Sequence, residues 1–403
     1  MKFSQTKLAN GLTIIGEQRL SAVSSALAFF VKTGARDETA GISGVSHFLE
    51  HMMFKGTETR TALDINFQLS AIGAQANAYT SEENTVYYAA VLPEYFAQAM
   101  ELFSDMLRPK LAQDDFDVEK KVILEEIALY HDKPNHVIFE AALKEHFKNH
   151  SAGNSVLGTI QSITDLTSQQ MKDYFNLRYS PNNIVLAASG NFDWDEFVAM
   201  AEKYCGSWKT TPTERKIVAD VPTFSKLSLK KENMQRAHLC YLAKGPSTTD
   251  EERYSADILS IMLGDGSNSK IFWELIDKGL ADSAAIDTEQ MDGTGVVIGY
   301  ASCPPENVEK VGDILRRIMT DSLNFTKADM DLAVTKLATR VVLQAESSMR
   351  RLMSIGLDWT YSNEYLPPEK ELELIKAVTP ESIKKLIEKY PFTPVTEVHL
   401  LPA

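Results

Sequence analysis

The second half of this chain repeats the pattern of the first, and that feature constrains the fold more than any other. Residues 174–190 carry a Tyr-Ser-Pro-Asn-Asn turn and close on the apolar run Ile184-Val185-Leu186-Ala187-Ala188. Residues 386–402 do the same with Tyr390-Pro391 and Val398-His399-Leu400-Leu401. The passage His51-Met52-Met53-Phe54-Lys55-Gly56-Thr57 likewise has a counterpart in Ser260-Ile261-Met262-Leu263-Gly264-Asp265-Gly266-Ser267. A spacing of about 200 residues is far longer than a solenoid repeat, so it points to duplicated domains.

Within the first half, period-2 and helical patterns alternate. Strands are expected at 12–15, after the Asn10-Gly11 turn, at 25–31, as a pair at 73–77 and 85–92, and at 183–190. Helices are expected at 45–54, 93–106 and 114–130. The expected fold class is α+β: two homologous α/β-sandwich domains related by duplication, each a mixed, largely antiparallel sheet packed by helices. Residues 209–226 hold Pro212, Pro222 and three threonines from Thr210 to Thr213, with few large apolar residues. That composition predicts a linker at 211–226 between domains at 1–210 and 227–403.

Composition excludes several classes. With 55 acidic and 41 basic residues the formal net charge is −14, which argues against a bulk-basic nucleic-acid binder. Cys205, Cys240 and Cys303 are too few for a disulfide framework or a cysteine zinc site, and they suit a reducing compartment. No stretch reaches the roughly 18 uninterrupted apolar residues that span a bilayer, and no signal-peptide pattern opens the chain. A cytoplasmic protein with no membrane partner is expected.

The chemistry concentrates in His47-Phe48-Leu49-Glu50-His51. Histidines at i and i+4 lie one turn apart on one helix face, so both imidazoles can reach one tetrahedral zinc ion (Zn2+). Glu50, three residues after His47, projects over the same face and can hold a water and take its proton; this is the inverted H-x-x-E-H order. Its neighbours are almost all apolar, and an unpaired His-Glu-His cluster there would be costly to bury. A catalytic zinc takes three protein ligands, so a third must come from another element. The 114–130 helix offers Glu119, Glu125 and Glu126; Glu119 and Glu126, seven apart, share a face, and Glu125 reads as solvated.

At these residues the chain resembles the zinc peptidases of the pitrilysin/insulinase family, on the mitochondrial-processing-peptidase branch. In that family a helix reading Glu-x-x-Val-Ile-x-x-Glu supplies a glutamate ligand about 75 residues after the motif. Here Glu119-Lys120-Lys121-Val122-Ile123-Leu124-Glu125-Glu126 matches, and Glu126 lies 75 residues after His51. The resemblance extends through Gly44-Val45-Ser46 and Gly73-Ala74-Gln75-Ala76-Asn77-Ala78-Tyr79-Thr80-Ser81. It implies His47, His51 and Glu126 as zinc ligands, Glu50 as general base and Glu119 as a supporting carboxylate. It also implies that an extended peptide substrate adds as a strand beside 73–78, with Asn77 and Ala78 binding it.

One part of the family pattern is missing. Complete enzymes of the family carry an Arg and a Tyr seven residues apart in the second half, which reach the substrate carbonyl. Here Ile276 and Asp282 stand at those positions, with one residue fewer between them. Isoleucine donates no hydrogen bond and aspartate repels an oxyanion. The expectation is therefore a zinc-bearing subunit completed by a homologous chain that carries the Arg/Tyr pair, a heterodimer. A homodimer or monomer using Lys270 or Tyr300 is the alternative, and a non-catalytic scaffold or binding subunit of the same fold is the other. Elsewhere, His131, His136, His146 and His150 are expected at the surface or as caps, the stretch Met349-Arg350-Arg351 as a solvated helix face, and Trp273 and Trp359 in the core.

Overall fold

The computed structural model describes all of residues 1–403. In chain order the elements are β1 (Lys2–Lys7), β2 (Thr13–Gln18), β3 (Ser25–Val31), α1 (Val45–Met52), α2 (Ala62–Ala71), β4 (Gln75–Thr80), β5 (Thr85–Val91), α3 (Phe96–Met106), α4 (Gln113–His131) and α5 (Pro134–Phe147). Then come α6 (Ile160–Asp165), α7 (Ser168–Arg178), β6 (Ile184–Gly190) and α8 (Trp194–Cys205). The second half contains β7 (Lys226–Lys231), β8 (Ala237–Lys244), α9 (Arg253–Gly264), a π-helical turn (Phe272–Ile276), β9 (Ser283–Met291) and β10 (Thr294–Cys303). It ends with α10 (Val308–Thr320), α11 (Lys327–Ala345), α12 (Ser348–Ser362), α13 (Pro368–Lys376), α14 (Pro380–Lys389) and β11 (Thr396–Pro402). None of the helices is long and apolar enough to cross a membrane.

Two sheets organise the chain, in the orders β1-β2-β6-β3-β5-β4 and β7-β11-β8-β10-β9. Without the edge strand β1 the two orders are the same. In both, the pair at one end is parallel (β2 with β6, β11 with β7) and every other pair of that common set is antiparallel. The chain is thus two homologous α/β domains, as the repeat predicts. Strand β3, an uninterrupted run of buried residues, takes the interior of the first sheet, where both faces are covered. Strand β4 lies at an edge, and its side chains remain at least partly exposed.

The compact units are interleaved in sequence and differ from the contiguous stretches 1–210 and 227–403. One comprises Met1–Ala128, Asn154–Lys216 and Leu343–Leu366; the other comprises Leu129–Gly153, Ile217–Val342 and Pro367–Ala403. Two helices account for this. Helix α12, from the second half, buries Leu352, Ile355 and Trp359 on Ala26, Ala28 and Phe30 of the first sheet. Helix α5, from the first half, buries Ile138 and Ala142 against Cys240, Leu242, Val398 and Leu400 of the second. A fully buried side chain of this kind contributes about 1.5–3 kcal/mol, so each helix is held by its packing face.

Three side chains depart from expectation. Arg351 is buried, because α12 carries it against the first sheet; there its guanidinium donates to both carboxylate oxygens of the buried Glu17. Removing one partner of such a pair typically costs 3–5 kcal/mol. His146 is completely buried, because the last turn of α5 is covered by the segment after residue 217; Thr223 donates its backbone N–H to the His146 carbonyl at 2.9 Å. Trp273 is half exposed, since the π-helical turn gives its core position to Leu275; Trp359 is buried as expected.

Candidate metal centre

Helix α1 begins at Gly44, whose φ of +89° lies in the left-handed region that favours glycine. Its inward face buries Val45, Phe48, Leu49 and Met52. The same turn length brings His47, Glu50 and His51 to one side, with His47 buried and Glu50 and His51 half-buried. Helix α4 meets that side. Its buried residues Phe116, Glu119, Ile123 and Ile127 mark the inward stripe, with Phe48 and Phe116 stacked at 4.8 Å between centroids. Glu126, one position from Ile127, reaches the histidines, while Glu125 is exposed as expected.

One ligating atom each from His47, His51 and Glu126 lie within 4.8 Å of one another. Glu126 Oε2 is 3.8 Å from His47 Nε2 and 3.5 Å from His51 Nε2. Ligands at 2.0–2.1 Å from a tetrahedral ion are about 3.3 Å apart, so two imidazoles and a carboxylate at these separations fit a zinc ion after small side-chain movements. Burial, assisted by the neighbouring His51, pushes the His47 pKa down to about 4, which leaves a neutral imidazole with a free lone pair. Desolvation acts on His51 in the same sense, but the Glu119 hydrogen bond and the charges of Glu126 and Glu50 outweigh it and raise its pKa. The pocket is therefore electronegative and suits a cation.

Glu119 joins this group through His51. The Nδ1–H of His51 donates to Glu119 Oε1 at 2.9 Å, which turns Nε2 towards Glu126. Glu119 is buried, and Lys55 holds its other oxygen at 2.5 Å. Desolvation raises the Glu119 pKa, but the bonds to His51 and Lys55 prevail and leave it below the usual range. Such a carboxylate fixes the histidine tautomer and strengthens the ligand.

Glu50 accepts a hydrogen bond from the Thr80 hydroxyl at 2.7 Å on Oε2. Burial raises its pKa, and Thr80 and His51 only partly reverse this. Asn77 and Ala78 lie on β4 and are not among the three converging ligands; Asn77 is exposed, and its Oδ1 accepts the Ala78 N–H at 2.9 Å. That N–H therefore faces the open edge of the sheet and not β5. The sequence assigns no role to Thr80 or Lys55, although Thr80 lies in a block that carries the resemblance. A hydroxyl ending an edge strand and a lysine one turn past His51 were the available signals.

The positions expected to hold Arg and Tyr are otherwise engaged. Ile276 packs on the core of the second unit, and Asp282 pairs with Arg236 at 2.8 Å. The Tyr300 hydroxyl is 2.8 Å from His238 Nδ1 and donates to Asn135 Oδ1 at 2.7 Å.

Comparison with known proteins agrees with this architecture. Residues 13–160 match the insulinase family model (peptidase family M16), and residues 165–337 match the peptidase M16 inactive domain. An uncharacterized zinc protease of Mycobacterium leprae is 31% identical over 392 residues, covering 95% of this chain and 88% of that protein. The crystal structure of a protease from Helicobacter pylori aligns with a TM-score of 0.90 at 22% identity, covering 100% of this chain and 99% of that one. A chain of the Candida albicans complex III dimer aligns at 0.85 and 16% identity over 99% of this chain and 95% of that one, which shows the shared fold alone. From the whole-length relationship, the two matched segments and the two homologous domains, the chain belongs to the insulinase family of peptidases, M16.

Proposed function

We propose that the chain is a zinc-dependent endopeptidase subunit that hydrolyses short, unfolded peptides. His47, His51 and Glu126 hold the metal in this reading, and Glu50 is the general base. The observation that carries it is the convergence of two imidazoles and a carboxylate within 4.8 Å, with Glu50 on the same helix face. Zinc held there would supply Lewis-acid chemistry, acidifying a water and polarising a peptide carbonyl. Glu50 would take a proton as the water oxygen adds to the peptide carbonyl carbon, and would return it to the amine nitrogen as the C–N bond breaks. The Thr80 hydroxyl occupies Oε2 and so fixes the carboxylate's orientation. Glu119 keeps His51 in the ligating tautomer. The peptide extends along β4, where the Ala78 N–H exchanges the Asn77 side chain for a substrate carbonyl.

The chain lacks a donor for the carbonyl oxygen at the Ile276 and Asp282 positions, and we assign that role to an Arg/Tyr pair on a homologous partner chain. Three buried, free cysteines suit a reducing compartment such as the cytoplasm. The scaffold reading has the shared fold in its favour, but a scaffold needs no intact quartet of His47, Glu50, His51 and Glu126.

Glu50→Gln tests the proposal. It is expected to lower kcat about 10²- to 10⁴-fold with zinc content unchanged by elemental analysis. Unaltered proteolysis in this variant, or a native chain that purifies without stoichiometric zinc, would overturn the reading.

A further inference from the structure

Helix α1 has no capping side chain of its own. Its N-cap is Gly44, and a Cβ there would lie 2.5 Å from the Leu157 carbonyl oxygen, so a side chain cannot be supplied at that position. The first N–H groups of a helix have no partner within it, and the helix dipole favours an anion beside them. Glu38 meets both needs from outside the helix. Its Oε2 accepts the Gly44 N–H at 2.6 Å and its Oε1 accepts the Ser46 N–H at 2.8 Å. Glu38 is itself buried, and desolvation raises its pKa to about 7 against the pull of those two bonds. A space-filling residue would not need to carry that penalty.

A second tie holds the same turn. The Ser46 hydroxyl is 2.7 Å from the Tyr174 hydroxyl, which is 2.8 Å from Thr33 Oγ1. Both ties end at Ser46, immediately before His47. A shift of the first turn would pass directly into His47 and, one turn on, into His51 and Glu50, because the helix between them is continuous. Two imidazoles 3.5–3.8 Å from one carboxylate oxygen leave little room for such a shift.

We infer that Glu38 is a positioning residue of the metal centre: it caps α1 from outside and holds the helix where His47 and His51 converge on Glu126. The inference rests on the metal reading given above. Cobalt(II) alone is the probe, titrated into the metal-free full-length chain and followed by visible absorption. Glu38→Gln keeps the shape of the side chain but sets an amide against the N–H groups. It is expected to weaken cobalt binding 10- to 100-fold and to alter the intensity of the d–d bands. A merely structural residue would lower the melting temperature and leave affinity and spectrum of the folded chain as they are. Equal affinity and an identical spectrum in Glu38→Gln and wild type therefore overturn the inference. A wild-type chain that binds no cobalt overturns the metal reading and the inference with it. Should Glu38→Gln fail to fold, Glu38→Asp, which draws the carboxylate back from both N–H groups, is measured in the same way. A clear loss of affinity supports the inference, and wild-type binding sinks it.

Discussion

His146 and His51 have opposite fates because of what touches their two nitrogens. In His51 one nitrogen donates to Glu119 and the other meets Glu126, so extra positive charge is welcome. In His146, Nδ1 donates to Thr396 Oγ1 at 2.9 Å, since that hydroxyl gives its own proton to the Thr223 carbonyl. Its Nε2 is buried without a partner. Burial lowers the His146 pKa from 6.5 to about 4; Asp220 opposes this and Lys244 adds to it. Between those values the unfolded chain binds the proton and the folded chain does not, so this residue's stabilisation is present above pH 6.5 and is lost as pH falls towards 4. Urea unfolding at pH 7 and pH 5 is expected to show a drop in stability about 2 kcal/mol larger for wild type than for His146→Gln. Equal drops would refute the account. The burial itself was not legible in the sequence: a polar residue at the end of an amphipathic helix reads as a cap, and nothing local announces the segment that covers it.

Elements divide in the same way between what a local pattern carries and what it does not. The runs at 25–31 and 183–190 and the helix at 114–130 correspond closely to β3, β6 and α4, because buried strands and long periodic helices write their period into the residues. The pair at 73–77 and 85–92 is β4 and β5. No period, however, says which sheet a helix will cover, so the exchange of α5 and α12 was invisible, and with it the burial of Arg351. Within the site, spacing alone placed His47, Glu50 and His51 together; Glu126 needed the resemblance, since α4 offered three glutamates. Strand β4 gives a test at this scale. Proline is tolerated where a strand's N–H faces an open edge, and the Ala78 N–H does so. Ala78→Pro is expected to leave melting temperature within a few degrees and zinc content unchanged, while kcat/KM falls about tenfold or more through KM. Unchanged KM for an extended peptide would remove β4 from the binding surface.

For the whole molecule, Ile276 and Asp282 lead to a concrete expectation about association. If a homologous chain supplies the carbonyl donors, the purified chain alone should cleave peptides two to three orders of magnitude more slowly than its mixture with that chain, the usual effect of losing an oxyanion donor. Equal rates alone and mixed would show that the subunit is self-sufficient.

The reciprocal loan of α5 and α12 has a consequence for how such a chain can be divided. A gene cut near residue 216 would yield an amino-terminal product whose sheet keeps Ala26, Ala28 and Phe30 but has lost the helix that roofs them. The other product would emerge without the roof over Cys240 and Leu242. Each fragment would bear a bare greasy plane, the kind of surface that recruits chaperones or precipitates. Duplicated ancestry therefore does not make the halves separable, and their inheritance as one reading frame is a requirement of solubility.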